Sequence, residues 1–237
     1  MRILFCDDNP AILDILQKYV MEYFKGNRGY EITYAAYESG EQLLQNEKMA
    51  DIAFLDVEMP GISGIHVGAK LKEYNPYIKI FIITSYPDYL DEAMRFQVFR
   101  YLSKPIDKTR LFRNLKDAIY KYTMETREYP IFMEDNMVVV RADEIVCAEV
   151  ALRKCFIYTT RGVFKSLEPM EYWKKTLNLP CFYVPHKSFI INMRYVCELR
   201  KDSILLRYGE NEKESYLARR KYAQFKDTYL FYLESVK

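Results

Sequence analysis

The sequence of 237 residues lacks the cysteine and histidine patterns that mark metal sites. It has five cysteines, an odd number, and no two of them stand at the C-x-x-C spacing of zinc sites. Only two histidines occur, so a histidine-rich metal site is excluded. The odd cysteine count also argues against a disulfide framework and favours reduced, mostly buried thiols.

Long apolar runs and a secretion signal are missing as well. No run approaches the roughly 18 consecutive apolar residues of a membrane-spanning helix. The N-terminal segment reaches Asp7 and Asp8 at once and has no small-residue cleavage site, so it is unlike a signal peptide. We therefore expect a cytoplasmic protein without a membrane partner.

Glycine becomes scarce after residue 122, where only Gly162 and Gly209 remain. The charge changes there too: residues 1–122 hold 16 basic and 17 acidic side chains, and the remainder holds 19 and 16. We predict one domain over residues 1–122, a polar linker over 123–129 and a second domain over 130–237. The mildly basic second half permits nucleic-acid binding without requiring it.

In the first domain, short apolar runs alternate with amphipathic helical patterns. The predicted strands cover residues 3–6, 31–36, 52–55, 80–83 and 99–102, and one of the intervening helices is expected around residues 90–96. Such alternation is typical of a parallel sheet covered on both faces. We predict an α/β domain of flavodoxin-like (βα)5 architecture.

The second domain shows a different pattern, with β-rich runs in succession and few helices. These runs cover residues 131–133, 137–140, 145–150, 155–159, 163–164, 195–199 and 204–208. One amphipathic helix is expected around Trp173, and a final helix is expected to start near Arg219. No pair of helices joined by a Gly-containing turn is present, so a helix-turn-helix is not expected. We predict a mainly β domain.

Polar side chains follow four of the predicted parallel strands. Asp7 and Asp8 follow the first, Asp56 the third, Thr84 the fourth and Lys104 the fifth. Carboxylates held together repel one another unless a cation enters, and Mg²⁺ prefers oxygen ligands. Simple capping of a helix N-terminus is the alternative for the acidic residues, but it accounts for one strand end only.

These residues resemble a known family in type, order and spacing. The matching segments are Asp7-Asp8, Asp56, Met59-Pro60-Gly61, Gly64, Thr84-Ser85 and Lys104-Pro105. Together they resemble the CheY-like receiver domain of two-component response regulators. The resemblance implies that Asp56 accepts a phosphoryl group from the phosphohistidine of a sensor histidine kinase. It implies no enzyme with turnover of a separate substrate, only self-phosphorylation and slow self-dephosphorylation.

The same resemblance assigns roles around Asp56. Asp7 and Asp8 would hold Mg²⁺ together with Asp56 and the backbone carbonyl of Glu58. Lys104 would pair with the phosphoryl group and Thr84 would hydrogen-bond it. The aromatic side chain of Tyr101 would follow the hydroxyl inward as a switch, although ordinary strand packing is the alternative. The family also has a cis peptide at the site of Lys104-Pro105.

In the second domain, the segment 182–192 carries the pattern His186-x-Ser188-x-x-x-Asn192 after a strand. This pattern resembles the central signature of LytTR DNA-binding domains, and Glu149 and the basic start of the last helix also fit. In this family, loops of an elongated β fold contact DNA. Of these signature residues, His186 and Asn192 more readily hold the local backbone than contact a base.

By position, five basic residues are the candidate DNA contacts. They are Lys187, Arg219, Arg153, Lys154 and Arg220. Arg153 and Lys154 could equally form a solvated hairpin tip. Three consecutive cations from Arg219 onward at a helix N-terminus oppose the helix dipole, which bound phosphates would compensate.

The two resemblances together predict a phosphorylation-activated transcriptional response regulator. Phosphorylation would promote a homodimer that binds promoter DNA at repeated sites. The alternative is a response regulator whose second domain acts through protein or RNA contacts.

Overall fold

The computed structural model describes residues 1–27, 31–85 and 98–236, which fall into two compact units, residues 1–122 and 123–237. The helix predicted around residues 90–96 lies outside the described residues. Within the described part of the chain, no helix has the length and apolar character needed to cross a bilayer.

The first unit is a parallel five-stranded sheet with helices on both faces. Its elements are β1 (Arg2–Cys6), α1 (Pro10–Gly26), β2 (Thr33–Tyr37), α2 (Gly40–Asn46), β3 (Ile52–Asp56), α3 (Gly64–Tyr74), β4 (Lys79–Thr84), β5 (Arg100–Ser103) and α4 (Lys108–Thr126). The strand order is β2-β1-β3-β4-β5, with every pairing parallel. This order confirms the flavodoxin-like prediction.

Alternating side chains of the sheet fill two separate cores. On one face, Phe5, Phe54 and Phe81 stack in a row and pack with apolar residues of α1 and α4. On the other, Leu55 and Ile82 pack with α2 and α3. Since both faces are covered, the carboxyl ends of the strands form the accessible edge of the sheet, where polar residues can converge.

The second unit is mainly β. Its elements are β6 (Glu128–Phe132), β7 (Met137–Arg141), β8 (Ile145–Ala151), β9 (Lys154–Thr159), β10 (Gly162–Ser166), α5 (Met170–Thr176), β11 (Phe182–His186), β12 (Phe189–Asn192), β13 (Val196–Leu199), β14 (Ser203–Tyr208), β15 (Asn211–Tyr216) and α6 (Tyr222–Val236). They form sheets ordered β10-β9-β8-β12-β11, β13-β14-β15 and β6-β7. The mainly β prediction is confirmed.

Three local features differ from the predicted element boundaries. Strand β15 was missed because its sequence, NEKESY, is polar and only Ser215 in it is buried. The last helix begins at Tyr222, since residues Arg219–Lys221 form a separate 3₁₀ turn before it. Residues 123–126 are the last of α4, and β6 starts at Glu128. The linker role of residues 123–129 stays a prediction.

Candidate phosphorylation site and DNA-binding surface

Two carboxylates and a lysine meet at the carboxyl edge of the parallel sheet. Lys104 Nζ lies 2.8 Å from Asp7 Oδ2 and 2.8 Å from Asp56 Oδ2. Asp7 is fully buried and Asp56 nearly so, whereas Asp8 is exposed. The structure therefore brings Asp7, Asp56 and Lys104 together as the sequence predicted.

Burial and charge set the protonation of this cluster. Burial raises the pKa of the Asp56 carboxyl above its ordinary value, while the hydrogen bond and charge of Lys104 act in the opposite direction. Burial also disfavours the charged form of Lys104, but the hydrogen bond to Asp56 and the negative charges of Asp56 and Asp7 outweigh burial and raise the pKa of the lysine. Lys104 therefore keeps its positive charge beside Asp56 at neutral pH.

The acidic residues of this edge fit a divalent cation. Oxygen atoms of Asp7, Asp8 and Asp56 lie within 4.8 Å of one another. Asp7 Oδ2 is buried and accepts no hydrogen bond from the described residues, because its approach to Lys104 is an ion pair without hydrogen-bond geometry. An all-oxygen donor set with an unsatisfied carboxylate oxygen is what Mg²⁺ prefers. Glu58 is exposed in the loop after β3.

Backbone segments pack closely against one another around the cluster. A Cβ at Gly64 would lie 1.9 Å from the carbonyl oxygen of Asp56, so a side chain there would displace the strand end. Asn9, rather than Asp8, caps α1, since its side chain accepts a hydrogen bond from Ala11 N at 3.0 Å. Asp7 Oδ1 accepts from Asn9 N at 3.0 Å. The capping explanation therefore does not account for Asp8 or Asp56.

Thr84, predicted to hydrogen-bond the phosphoryl group, lies on β4. Tyr101, the predicted switch residue, lies on β5. Thr84 is the buried last residue of β4, and its carbonyl accepts a hydrogen bond from Lys104 N at 3.0 Å. The Lys104–Pro105 peptide is cis, as the resemblance implied. Tyr101 is half-buried in β5, opposite Ile82 of β4.

In the second unit, hydrogen bonds join three segments that carry the candidate DNA contacts. Val150 N, at the end of β8, donates to Ser188 O at 2.9 Å in the β11–β12 turn. Ala218 N donates to Pro185 O at 3.2 Å, next to the same turn. The turn that contains Lys187 therefore lies beside both the β8–β9 hairpin and the 3₁₀ turn that contains the last arginines.

The candidate cations differ in their surroundings. Lys187, Arg153, Lys154, Arg219 and Arg220 are all exposed. Lys221, by contrast, is partly buried and donates from Nζ to the carbonyl of Val184 at 2.5 Å. All three cations lie in the 3₁₀ turn directly before α6, and the third also holds β11.

The signature residues of the β11–β12 hairpin hold the backbone. Asn192 is fully buried, and its Nδ2 donates to Ile145 O at 2.8 Å while its Oδ1 accepts from Arg194 N at 3.1 Å. His186 Nδ1 accepts from Ser188 N at 3.3 Å. These contacts agree with a structural part for the three residues rather than a base contact.

Sequence reasoning missed an ion pair that joins two sheets. Lys213 Nζ of β15 lies 2.5 Å from Glu149 Oε2 of β8 and donates to Tyr158 OH of β9 at 3.1 Å. Both charged side chains are largely buried. Burial disfavours the charged form of Lys213, but its hydrogen bonds to Glu149 and Tyr158 outweigh burial and raise the pKa of the lysine. Glu149 was noted only as part of a motif, and no sequence spacing links it to Lys213.

Comparison with known proteins confirms the type of domain predicted for each half of the chain. Residues 3–116 match the response regulator receiver domain and residues 135–229 match the LytTR DNA-binding domain. The chain combines a response regulator receiver domain with a LytTR DNA-binding domain.

Relatives of the chain match it along most of its length. The sensory transduction protein LytT of Bacillus anthracis is 24% identical over an alignment of 217 residues, and the match covers 84% of this chain and 86% of the relative. The transcriptional regulatory protein LytR of Staphylococcus aureus (strain bovine RF122) is 24% identical over 216 residues, 85% of this chain and 87% of the relative. Among solved structures, the response regulator TrrA of Thermotoga maritima is 31% identical with a TM-score of 0.41, covering 49% of this chain and 97% of that one.

Proposed function

We propose that phosphorylation of Asp56 by a sensor histidine kinase controls DNA binding by the second unit. The observation that carries the proposal is the ion-paired contact of Lys104 Nζ with Asp7 and Asp56 at the accessible edge of the parallel sheet. A nucleophilic carboxylate beside a fixed cation is suited to phosphoryl transfer, in which positioning and charge neutralisation supply most of the catalysis.

In the proposed reaction, an Asp56 carboxylate oxygen attacks the phosphorus of a kinase phosphohistidine. The phosphorus–nitrogen bond breaks, and the imidazole leaves with the electron pair and takes up a proton. Lys104 then pairs with a phosphoryl oxygen, and the Thr84 hydroxyl hydrogen-bonds another. Asp7, Asp8 and Asp56 would hold Mg²⁺ with the Glu58 carbonyl, and a bound ion would supply charge neutralisation for the phosphoryl oxygens.

The first test is labelling with radioactive acetyl phosphate. Asp56→Asn removes the nucleophile, and we expect labelling to fall to background. Asp14→Asn, at an exposed aspartate on α1, is the matched control and should label as wild type does. Labelling of Asp56→Asn at the wild-type rate would contradict the assignment.

On the DNA side, the proposal is that phosphorylation promotes a homodimer that binds repeated promoter sites in the cytoplasm. Three exposed basic segments supported by one hydrogen-bonded frame favour this function. Cations bind DNA phosphates, and the affinity then falls steeply with salt concentration.

The second test is a gel shift with promoter fragments, comparing Lys187→Ala and Arg219→Ala with wild type. We expect each variant to bind about tenfold more weakly, as for the loss of a contact of about 1.4 kcal/mol. Lys175→Ala, at an exposed lysine of α5, is the control and should bind normally. Unchanged binding by both variants would favour the alternative, an output through protein or RNA contacts.

A further inference from the structure

The β8–β9 hairpin ends in a two-residue turn with an unusual backbone. Ala151 pairs with Lys154, so the turn consists of Leu152 and Arg153, whose φ angles are +49° and +63°. Positive φ at both central residues is the type I′ turn, which Asn and Gly adopt most readily. Leucine carries a steric penalty in this region of backbone space.

Packing of the Leu152 side chain does not compensate for that steric penalty. It is 93% exposed, more than any other exposed large hydrophobic residue of the described chain. A residue that departs from both the backbone preference and the burial preference of its type indicates a contact with another molecule.

The base of this hairpin is held firmly. Glu149 is ion-paired to Lys213 of the neighbouring sheet, and Val150 N donates to Ser188 O. Leu152 is thus presented on a fixed support, beside the turn that contains Lys187.

The surroundings of Leu152 indicate what it contacts. Arg153, Lys154 and Lys187 are exposed cations on the same pair of hairpins. Cations that contact phosphates orient a protein on DNA but do not read the sequence. The thymine methyl is the apolar group that base pairs present in the major groove, and an apolar side chain among cations is matched to it.

We propose that Leu152 contacts a thymine methyl group in the major groove of the promoter and contributes to sequence preference. The inference rests on the DNA-binding function proposed above and names one residue and the chemical group that it reads.

The variant Leu152→Asn separates this role from turn stability. Asparagine tolerates positive φ, so the full chain should melt at or above the wild-type temperature. Its affinity for promoter DNA should nevertheless fall about tenfold, as expected when a buried leucine contact is lost. Leu152→Met retains an apolar side chain and should bind close to the wild-type affinity. Leu230→Asn, at a half-exposed leucine of α6, is the control and should also bind normally.

Promoters in which each thymine in turn is replaced by uracil test the methyl contact itself. Wild type should lose about fourfold in affinity at the contacted thymine, the value of one buried methyl group. Leu152→Asn should show no loss at that base. The inference is overturned if Leu152→Asn binds as wild type, if no uracil weakens wild type, or if the variant keeps the sensitivity to uracil.

The same experiment distinguishes this inference from the proposed function. Weakened binding by Arg219→Ala with unchanged binding by Leu152→Asn overturns the leucine contact alone. A wild-type chain that binds no duplex DNA overturns both.

Discussion

The proposed phosphorylation site and the proposed DNA-binding surface place their charges in opposite environments. Asp7 and Asp56 are buried and Lys104 is partly buried, and each pairs with a member of the same cluster. The candidate DNA contacts, such as Arg153 and Lys187, are exposed and project from hairpins. In the first region, the groups proposed to perform the chemistry are also expected to stabilise the fold. In the second region, the stabilising ion pair lies beneath the residues proposed to contact DNA.

The largest expected effect is on Lys104→Met, which leaves two buried carboxylates without a cation. We expect the free energy of unfolding, measured with urea, to fall by about 3 kcal/mol, because an uncompensated buried charge is costly. Added Mg²⁺ should stabilise the variant more than wild type, since the ion replaces the ammonium group. Lys108→Met removes an exposed pair with Glu22 and should change stability by less than about 0.5 kcal/mol. An unchanged free energy of unfolding for Lys104→Met would show that the charges of this cluster do not stabilise the first unit.

A smaller effect is expected for Lys213→Met, which tests whether the frame beneath the DNA surface carries stability. Glu149 would lose its partner, and we expect a loss of about 2 kcal/mol in the free energy of unfolding. The double variant Glu149→Gln with Lys213→Met should recover part of the loss, because no charge is then left unpaired. If the losses measured for Glu149→Gln and for Lys213→Met add up in the double variant, the pair is not coupled.

The smallest effect on stability is expected for Arg153→Ala. Arg153 is exposed at the hairpin tip, so the free energy of unfolding should change by no more than about 0.5 kcal/mol. The affinity for promoter DNA should fall, and the slope of its logarithm against that of salt concentration should decrease by about 1. Equal salt slopes for variant and wild type would show that Arg153 does not contact a phosphate.

The sequence predicted the first region well because its signals are local. Each strand is an apolar run and each functional residue directly follows a run, so parallel pairing alone brings Asp7, Asp56 and Lys104 to one edge. The cap of α1, for which the acidic residues were the alternative, is Asn9 in the structure.

The second region was less predictable because its key contacts are not local. Strand β15 has no apolar alternation strong enough to mark it, and Lys213 is recognised as a partner of Glu149 only once two sheets are placed together. The sequence predicted that the last helix starts near Arg219, whereas residues Arg219–Lys221 form a separate 3₁₀ turn. The last of them, Lys221, donates a hydrogen bond to the carbonyl of Val184.

The two-residue turn of the β8–β9 hairpin limits how this regulator can acquire a new target. An inserted residue would move the tip away from its fixed base and disturb the pairing of Ala151 with Lys154. Changes of promoter preference during evolution, or by engineering, should therefore arise from replacing the side chains of Leu152 and Arg153, while the length of the hairpin stays constant.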